Sequence, residues 1–213
     1  RLKEAGLGSI PGGGAEILAD SVREIICKGK ESSQEYLDIH RTAHELGIPS
    51  NCTMLFGTVE NVEDRINHLI KLRELQDETS GFQCFVPYPF LPDSSRLPEA
   101  QLASGNEILR MIAVSRLMLD NIPHIKAYRM NIGDSLTELA IRCGADDIDG
   151  TVIQESIMHL AGSNAPLRHG IDDLCRLIER SGCSAVKRDT TYSRFERVAS
   201  TQTNIPRTLA TVR

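Results

Sequence analysis

The chain has no tryptophan, and aromatic residues fill only 4% of its 213 positions. With charged residues at 25%, this is the make-up of an ordinary soluble protein, long enough to bury a sizeable core in one domain or one domain plus a tail. A basic surplus is also lacking: 24 Lys and Arg against 29 Asp and Glu leave a net charge of -5, so nothing draws the chain to nucleic acid or an anionic membrane, and neither is an expected partner. No uninterrupted apolar run approaches the ~20 residues that cross a bilayer, and Arg1-Leu2-Lys3-Glu4 does not open a signal peptide. The expectation is a cytoplasmic protein. The six cysteines show no CxxC or zinc-type spacing and read as reduced packing thiols. An initiating Met is missing as well, and Leu2 to Gly8 reads as the end of a helix with a glycine cap, so an incomplete or processed polypeptide is expected.

What stands out is the single glycine run, Ser9-Ile10-Pro11-Gly12-Gly13-Gly14-Ala15-Glu16. Three residues without Cβ permit unusual torsions and let a ligand approach the main chain. Their amides can form a concave anion nest, and Glu16 offers a carboxylate near the start of the following helix for a hydroxyl, an ammonium group or the helix dipole. The plainer reading is a tight strand-to-helix turn.

Helical pattern covers Ala15 to Leu46 in two pieces broken at Gly29-Lys30, the second from Ser33 through Ala43. A strand follows over Asn51 to Phe56, then a helix capped by Asn61 with Ile66, Leu69, Ile70 and Leu72 on its buried side. Phe82 to Val86 is the next strand, leading into a loop with Pro87, Pro89, Pro92 and Pro98. Further units are a helix over Asn106–Leu119, a strand over His124–Tyr128, a helix over Ser135–Ile141, a minimal strand over Asp146–Ile148 and a helix from Thr151 to Leu160. Ile171 to Glu179 is a last amphipathic helix, and the run after Tyr192 has no period. About five strand-helix repeats predict an α/β fold with a parallel sheet. A complete eight-fold barrel takes ~250 residues, so this is its later part. Glu16, Gly57, Glu60, Tyr88, Arg129, Asp147 and Asp149 would then gather at the carboxyl ends of the strands.

Other motifs divide between structure and chemistry. His40 and His44 stand one helical turn apart, a spacing open to a metal but without the HExxH glutamate and near a helix C-terminus that favours histidine anyway. Gly29-Lys30 lacks the remainder of a P-loop. Glu60 is a cap or a site carboxylate, whereas Arg65 and His68 read as a solvated helix face. The acids of Asp146-Asp147-Ile148-Asp149 can bind hydroxyls, cations or basic substrates, or cap a helix. Lys126 and Arg129 can meet a carboxylate.

Taken in order, several segments resemble a known family. They are Ala5 to Glu16, Thr53-Met54-Leu55-Phe56-Gly57, Leu72 to Thr79, Asn121 to Tyr128, Gly144 to Val152 and Arg188-Asp189-Thr190-Thr191-Tyr192. Together they resemble the C-terminal half of the radical S-adenosylmethionine enzymes of menaquinone and deazaflavin biosynthesis, nearest to the aminofutalosine synthase family. The resemblance implies later βα units of a radical SAM TIM-type barrel over residues 1–163, a helical extension over 164–193 and a poorly ordered tail over 194–213. It also implies a [4Fe-4S] cluster on a CxxxCxxC loop and an adenosyl radical that adds to the enol ether of 3-[(1-carboxyvinyl)oxy]benzoate, with aminofutalosine as product. On that view Gly12, Gly13, Gly14 and Glu16 contact S-adenosylmethionine, while Lys126, Arg129, Asp147 and Asp149 are candidates for the small-molecule substrate.

Two departures qualify it. No three cysteines have the CxxxCxxC spacing, so the cluster ligands are expected upstream of Arg1, and the chain alone is expected to be inactive. Where the family is expected to have Trp after Tyr128, this chain has Arg129. Expected partners are the missing N-terminal barrel half and a reductant protein for the cluster. The alternatives are the sibling enzyme, cyclic dehypoxanthinyl futalosine synthase, and a non-catalytic truncated barrel serving as a binding module.

Overall fold

A computed structural model describes residues 1–93, 95–167 and 169–199. Its centre is a parallel sheet of β1 (Ser50–Phe56), β2 (Phe82–Pro89), β3 (His124–Ala127) and β4 (Asp147–Ile148), paired in sequence order. Ile10 adds a single parallel bridge to Ser50 on the outer side of β1, which supplies the fifth repeat in its shortest form. Helices α1 (Asp20–Ile26), α2 (Ser33–Glu45), α3 (Val62–Thr79), α4 (Gly105–Met118) and α5 (Arg129–Arg142) fill the connections. They cover one face of the sheet, where Cys52, Met54, Phe56, Phe85, Ile125 and Ala127 pack against Leu69, Leu72, Ile108 and Ile112. After β4 come α6 (Ile157–Leu160), α7 (Ile171–Arg180) and an antiparallel pair, β5 (Val186–Arg188) and β6 (Phe195–Arg197).

Local chemistry accounts for most of the boundaries. Ser32 with Glu35 and Asn61 with Asp64 form reciprocal capping boxes at α2 and α3, each satisfying backbone donors left open at a helix start. Ser80 ends α3 in the left-handed region. The buried Gln76 amide then accepts from Phe82 N–H at 2.8 Å and donates to Phe82 O and Asn121 O, each at 3.1 Å, so α3 is fastened to the start of β2.

Several expectations are corrected. The first helix begins at Asp20 rather than near Ala15, because the carbonyls of Gly14 and Ala15 are taken by the Arg23 guanidinium. Pro87 and Pro89 belong to β2 rather than to a loop. Phe90 N–H bonds to Phe56 O at 2.7 Å, so strand alternation turns the missing N–H groups of both prolines toward β3, where pairing stops at Phe85. Ile70 is exposed and His68 is fully buried, the reverse of the pattern reading, because His68 Nδ1 accepts from Leu18 N–H at 2.9 Å. The helix placed over Thr151–Leu160 spans only Ile157–Leu160. Phe195–Arg197 is a strand, contrary to the expected unstructured tail, and the rest of that tail, residues 200–213, lies outside the described residues. Among the described residues no helix is long and apolar enough to cross a membrane.

His40 and His44 are buried below β1. The Ser50 hydroxyl lies 2.7 Å from His40 Nδ1 and 2.7 Å from His44 Nε2, and Thr79 Oγ1 lies 2.7 Å from His44 Nδ1. Among the described residues no three His, Cys, Asp or Glu come together to hold a metal. Burial lowers His40 to about 4 and His68 to about 3, from an ordinary 6.5. The unfolded chain therefore takes up protons first, so stability is full above about 6.5 and is lost as pH falls. We expect the urea midpoint to drop between pH 6.5 and 4.5, His40 contributing on the order of 2 kcal/mol, with a flatter slope in His40→Gln. A midpoint independent of pH in that window would contradict this.

Candidate functional site

At the carboxyl ends of β1 and β2 lies a cavity of about 510 Å³. Its floor is the glycine run, through Pro11, Gly13, Gly14 and Glu16, and its walls are Thr53, Leu55, Tyr88, Pro89, Phe90, Leu91 and Tyr128. Asn131, Met158 and Ala161 complete the lining. Strand alternation explains the choice: Cys52, Met54 and Phe56 turn to the helices, which leaves Thr53 and Leu55 on the opposite face.

The run is held from behind by its carbonyls. Gly12 O accepts from Tyr36 Oη at 2.8 Å and from Thr53 Oγ1 at 3.0 Å, and Glu16 O accepts from Leu55 N–H at 2.7 Å. The buried Arg23 guanidinium donates to Gly14 O at 3.2 Å, to Ala15 O, and to Glu31 O at 3.0 Å. No acceptor among the described residues meets the amides of Gly13 and Gly14. The three glycines therefore differ. Gly12, at φ +80°, backs so closely onto β1 that a Cβ would collide with the Asn51 carbonyl. Gly13 faces open space, and Gly14, at φ +102°, faces the Glu31 side chain. Glu16 has φ +44° and lies four residues before the helix rather than at its first turn; its carboxylate pairs with Lys30 Nζ at 2.6 Å.

Gly13, Gly14 and Glu16 thus line one cavity, with Gly12 buttressing it. The remaining nominated residues lie outside that lining. Lys126 pairs with Asp147 at 3.2 Å, and Asp147 also accepts from Arg188 Nε and Nη2 at 2.9 and 2.7 Å and from Tyr192 Oη at 2.7 Å. Burial pushes the Asp147 carboxyl up, but the Arg188 hydrogen bonds and the nearby cations outweigh it and hold it low. Tyr192 stacks on His124 with centroids 4.5 Å apart, and Gln83 Nε2 donates to Thr191 O at 2.5 Å, so the β5–β6 turn crosses the amino ends of β2, β3 and β4. Arg129 is fully buried between Asp149, at 3.6 Å, and Asp134, at 3.2 Å, and donates to Pro166 O at 3.0 Å. Burial raises the Asp149 carboxyl against the opposing pull of Arg129. Glu60 is neither the cap of α3 nor part of the cavity lining: its carboxylate closes the loop after β1, accepting from Gly57 N–H at 2.6 Å and Thr58 N–H at 2.8 Å, and pairs with Arg65.

Pattern reading had placed Tyr88 at the strand ends. It missed Thr53 and Leu55 as lining, although their period-two alternation with buried Met54 signals it. Asn131, Met158 and Ala161 arrive from α5, kinked at Gly133, and from α6, and carry no local signal.

A family model described as the CofH/MqnC C-terminal region matches residues 79–201. Aminodeoxyfutalosine synthase of Thermus thermophilus is 47% identical over 195 residues, covering 90% of this chain and 52% of that protein. The enzyme of the same name from Streptomyces coelicolor is 40% identical over 202 residues, covering 90% and 52%. The 5-amino-6-(D-ribitylamino)uracil--L-tyrosine 4-hydroxyphenyl transferase of Methanothermobacter thermautotrophicus is 39% identical over 202 residues, covering 92% and 55%. The chain spans about half the length of the curated relatives it matches. Among solved structures, methylornithine synthase (PylB) superposes with a TM-score of 0.59 at 20% identity, covering 78% of this chain and 48% of that one. That likeness bears on the fold alone, an α/β fold whose βα units build part of a TIM-type barrel, as the sequence implied.

Two substitution sets probe this site. Gly12→Ala should destabilise by about 3 kcal/mol or more through the clash and the strained torsion, whereas Gly13→Ala should stay within about 0.5 kcal/mol, both read from urea unfolding. Equal effects would show that the run has no open side. Asp147→Ala strands Lys126 and Arg188 and should cost roughly 3 kcal/mol, with faster protease cleavage between residues 186 and 197; an unchanged cleavage pattern would show that Asp147 does not anchor the hairpin.

Proposed function

We propose a function that starts from one fact: the chain belongs to the CofH/MqnC C-terminal region family. The proposed whole protein is a radical S-adenosylmethionine enzyme, an aminofutalosine synthase of menaquinone biosynthesis, and this chain supplies the later barrel units. The observation that carries the reading is the cavity at the strand carboxyl ends, floored by the glycines and carboxylate that the resemblance gives to S-adenosylmethionine. A Cβ at Gly13 would meet nothing within 4 Å, so the bare backbone leaves room for a ligand. Gly13 and Gly14 would cradle the cofactor, and Glu16 would accept from its hydroxyl or ammonium groups. When bound with a reduced cluster, that cofactor supplies the adenosyl radical. The protein's part is to orient the nucleoside and shield it from water.

The cluster itself does not fit this chain. The six cysteines are free and dispersed, and no ligand triad occurs among the described residues. No step is routed through it, and its ligands are assigned to an N-terminal barrel half upstream of Arg1. A reductant protein and a cytoplasmic location belong to the same proposal. The alternative is the sibling cyclase, favoured by the breadth of the matching family description; identities of 47% and 40% to the synthases support the synthase.

In calorimetric titration the chain should bind S-adenosylmethionine, and Gly13→Val, which fills the floor, should weaken that binding at least tenfold. In-frame codons upstream of Arg1 should encode CxxxCxxC. With both halves present, the enol-ether benzoate should yield aminofutalosine. A start codon at this position with no upstream cysteine loop, or the two halves together indifferent to S-adenosylmethionine, would overturn the proposal.

A further inference from the structure

The cavity wall carries a buried amide oxygen that the protein leaves unmatched. Among the buried side-chain atoms of the described residues that lack a hydrogen-bond partner, Asn131 Oδ1 alone belongs to a residue of the cavity lining. Asn131 is 8% exposed and lies in the first turn of α5, with Nδ2 3.3 Å from Pro89 O and 3.8 Å from Met158 Sδ. Both neighbours are acceptors, so turning the amide over would set oxygen against oxygen, and the unmatched atom is the oxygen. The same two contacts hold the amide between the end of β2 and α6. The buried Gln76 amide, by contrast, is bonded at both ends. Buried acceptors are rarely left unpaired, and the cavity that Asn131 lines is the space open to a donor. Around it the wall is apolar and aromatic, with Leu55, Tyr88, Phe90, Leu91 and Tyr128. The one charged lining group, Glu16, is also an acceptor. A flat apolar body that carries N–H or O–H donors fits such a lining.

We propose that Asn131 is a specificity-determining residue that reads the exocyclic amino group of a purine, whose N–H donates to Oδ1 while the ring lies against the apolar wall. A 6-oxo purine would set its carbonyl against Oδ1, and an unsubstituted purine would leave that acceptor unmatched at the cost of a desolvated polar group. Sites that use a fixed hydrogen-bonding group reject analogues lacking the matching one more strongly than apolar pockets do. The bond to Pro89 O holds Asn131 in place before a ligand arrives, which limits the ordering cost of binding. The inference rests on the proposed function in taking the ligand to be a nucleoside, and it assigns the amino edge of the base to a residue that the sequence did not nominate.

Adenosine, purine riboside and inosine are titrated by ligand-observed NMR with both halves of the barrel present, and S-adenosylmethionine binding is read on the same samples. Adenosine should bind about tenfold more tightly than purine riboside, and inosine more weakly than either. Asn131→Leu, close in size and without an acceptor, should remove the adenosine preference. Asn131→Ala gives the same reading if leucine disturbs the fold, as checked by urea unfolding. Equal binding of adenosine and purine riboside to the wild-type protein overturns the proposal without any variant, and so does a preference that survives the substitution in a folded chain. S-adenosylmethionine binding with no preference among the three nucleosides defeats the role of Asn131 alone. Adenosine preference without S-adenosylmethionine binding defeats the cofactor reading alone, and binding of none of them overturns both.

Discussion

A buried guanidinium sets the floor of the site. Arg23 is 4% exposed, and its donors satisfy the carbonyls of Gly14, Ala15 and Glu31, which have no strand or helix partner of their own. Buried backbone groups must be paired, so this one side chain helps the chain turn from buried Gly12 through exposed Gly13 and half-buried Gly14 to buried Ala15. The Gly12 carbonyl, drawn back onto Tyr36 and Thr53, turns the Gly13 amide of the same trans peptide to the other side, and Gly13 lines the cavity. The structural and the ligand-facing readings of the run are therefore two sides of one peptide segment.

The opposite end of the sheet uses charge differently. Around Asp147 converge Lys126 from β3, Arg188 from β5 and Tyr192 from the hairpin turn, with the Arg188 guanidinium 3.9 Å from the centre of the Tyr192 ring. These charges lie in pairs at the amino ends of the strands. At the carboxyl ends the only charged lining group is Glu16, already bonded to Lys30. Fixed ion pairs thus brace the base, while apolar and neutral polar surface forms the cavity.

Much of this architecture was legible because the strands are short apolar runs bounded by Gly, Pro and Asn, and the caps at Asn61 and Ser80–Gly81 are local signals. The glycine run was legible as a site because its composition has few structural uses. Other features depend on contacts distant in sequence. His68 sits on what reads as a polar stripe, and contacts distant in sequence bury it: Leu18, fifty positions earlier, donates its N–H to the ring, and Phe85 meets the ring edge to face. Pro87 and Pro89 punctuate a sequence as a loop would, yet they lie where the sheet has lost a neighbour. Lys126 and Asp147 carry the residue types of a binding site, and nothing local reveals that they pair with each other. Asn131, Met158 and Ala161 reach the cavity through a kink and a four-residue helix that have no periodicity to read.

Arg129 shows how a charged side chain can be absorbed behind the cavity wall. Of the groups around this unexposed guanidinium, Asp134 and the Pro166 carbonyl accept from Nη1, while the Asp149 carboxylate pairs with Nε by charge at 3.6 Å without a hydrogen bond. The Arg129 N–H is also bonded to Asp149, so the peptide joining Tyr128 to α5 is fixed by the strand-end acid of β4. Tyr128 is held by that bond in the cavity wall beside Tyr88. The floor and one wall of the cavity are therefore each secured from behind by a buried arginine, Arg23 against carbonyls and Arg129 against acids, and neither guanidinium reaches the space that a ligand would fill.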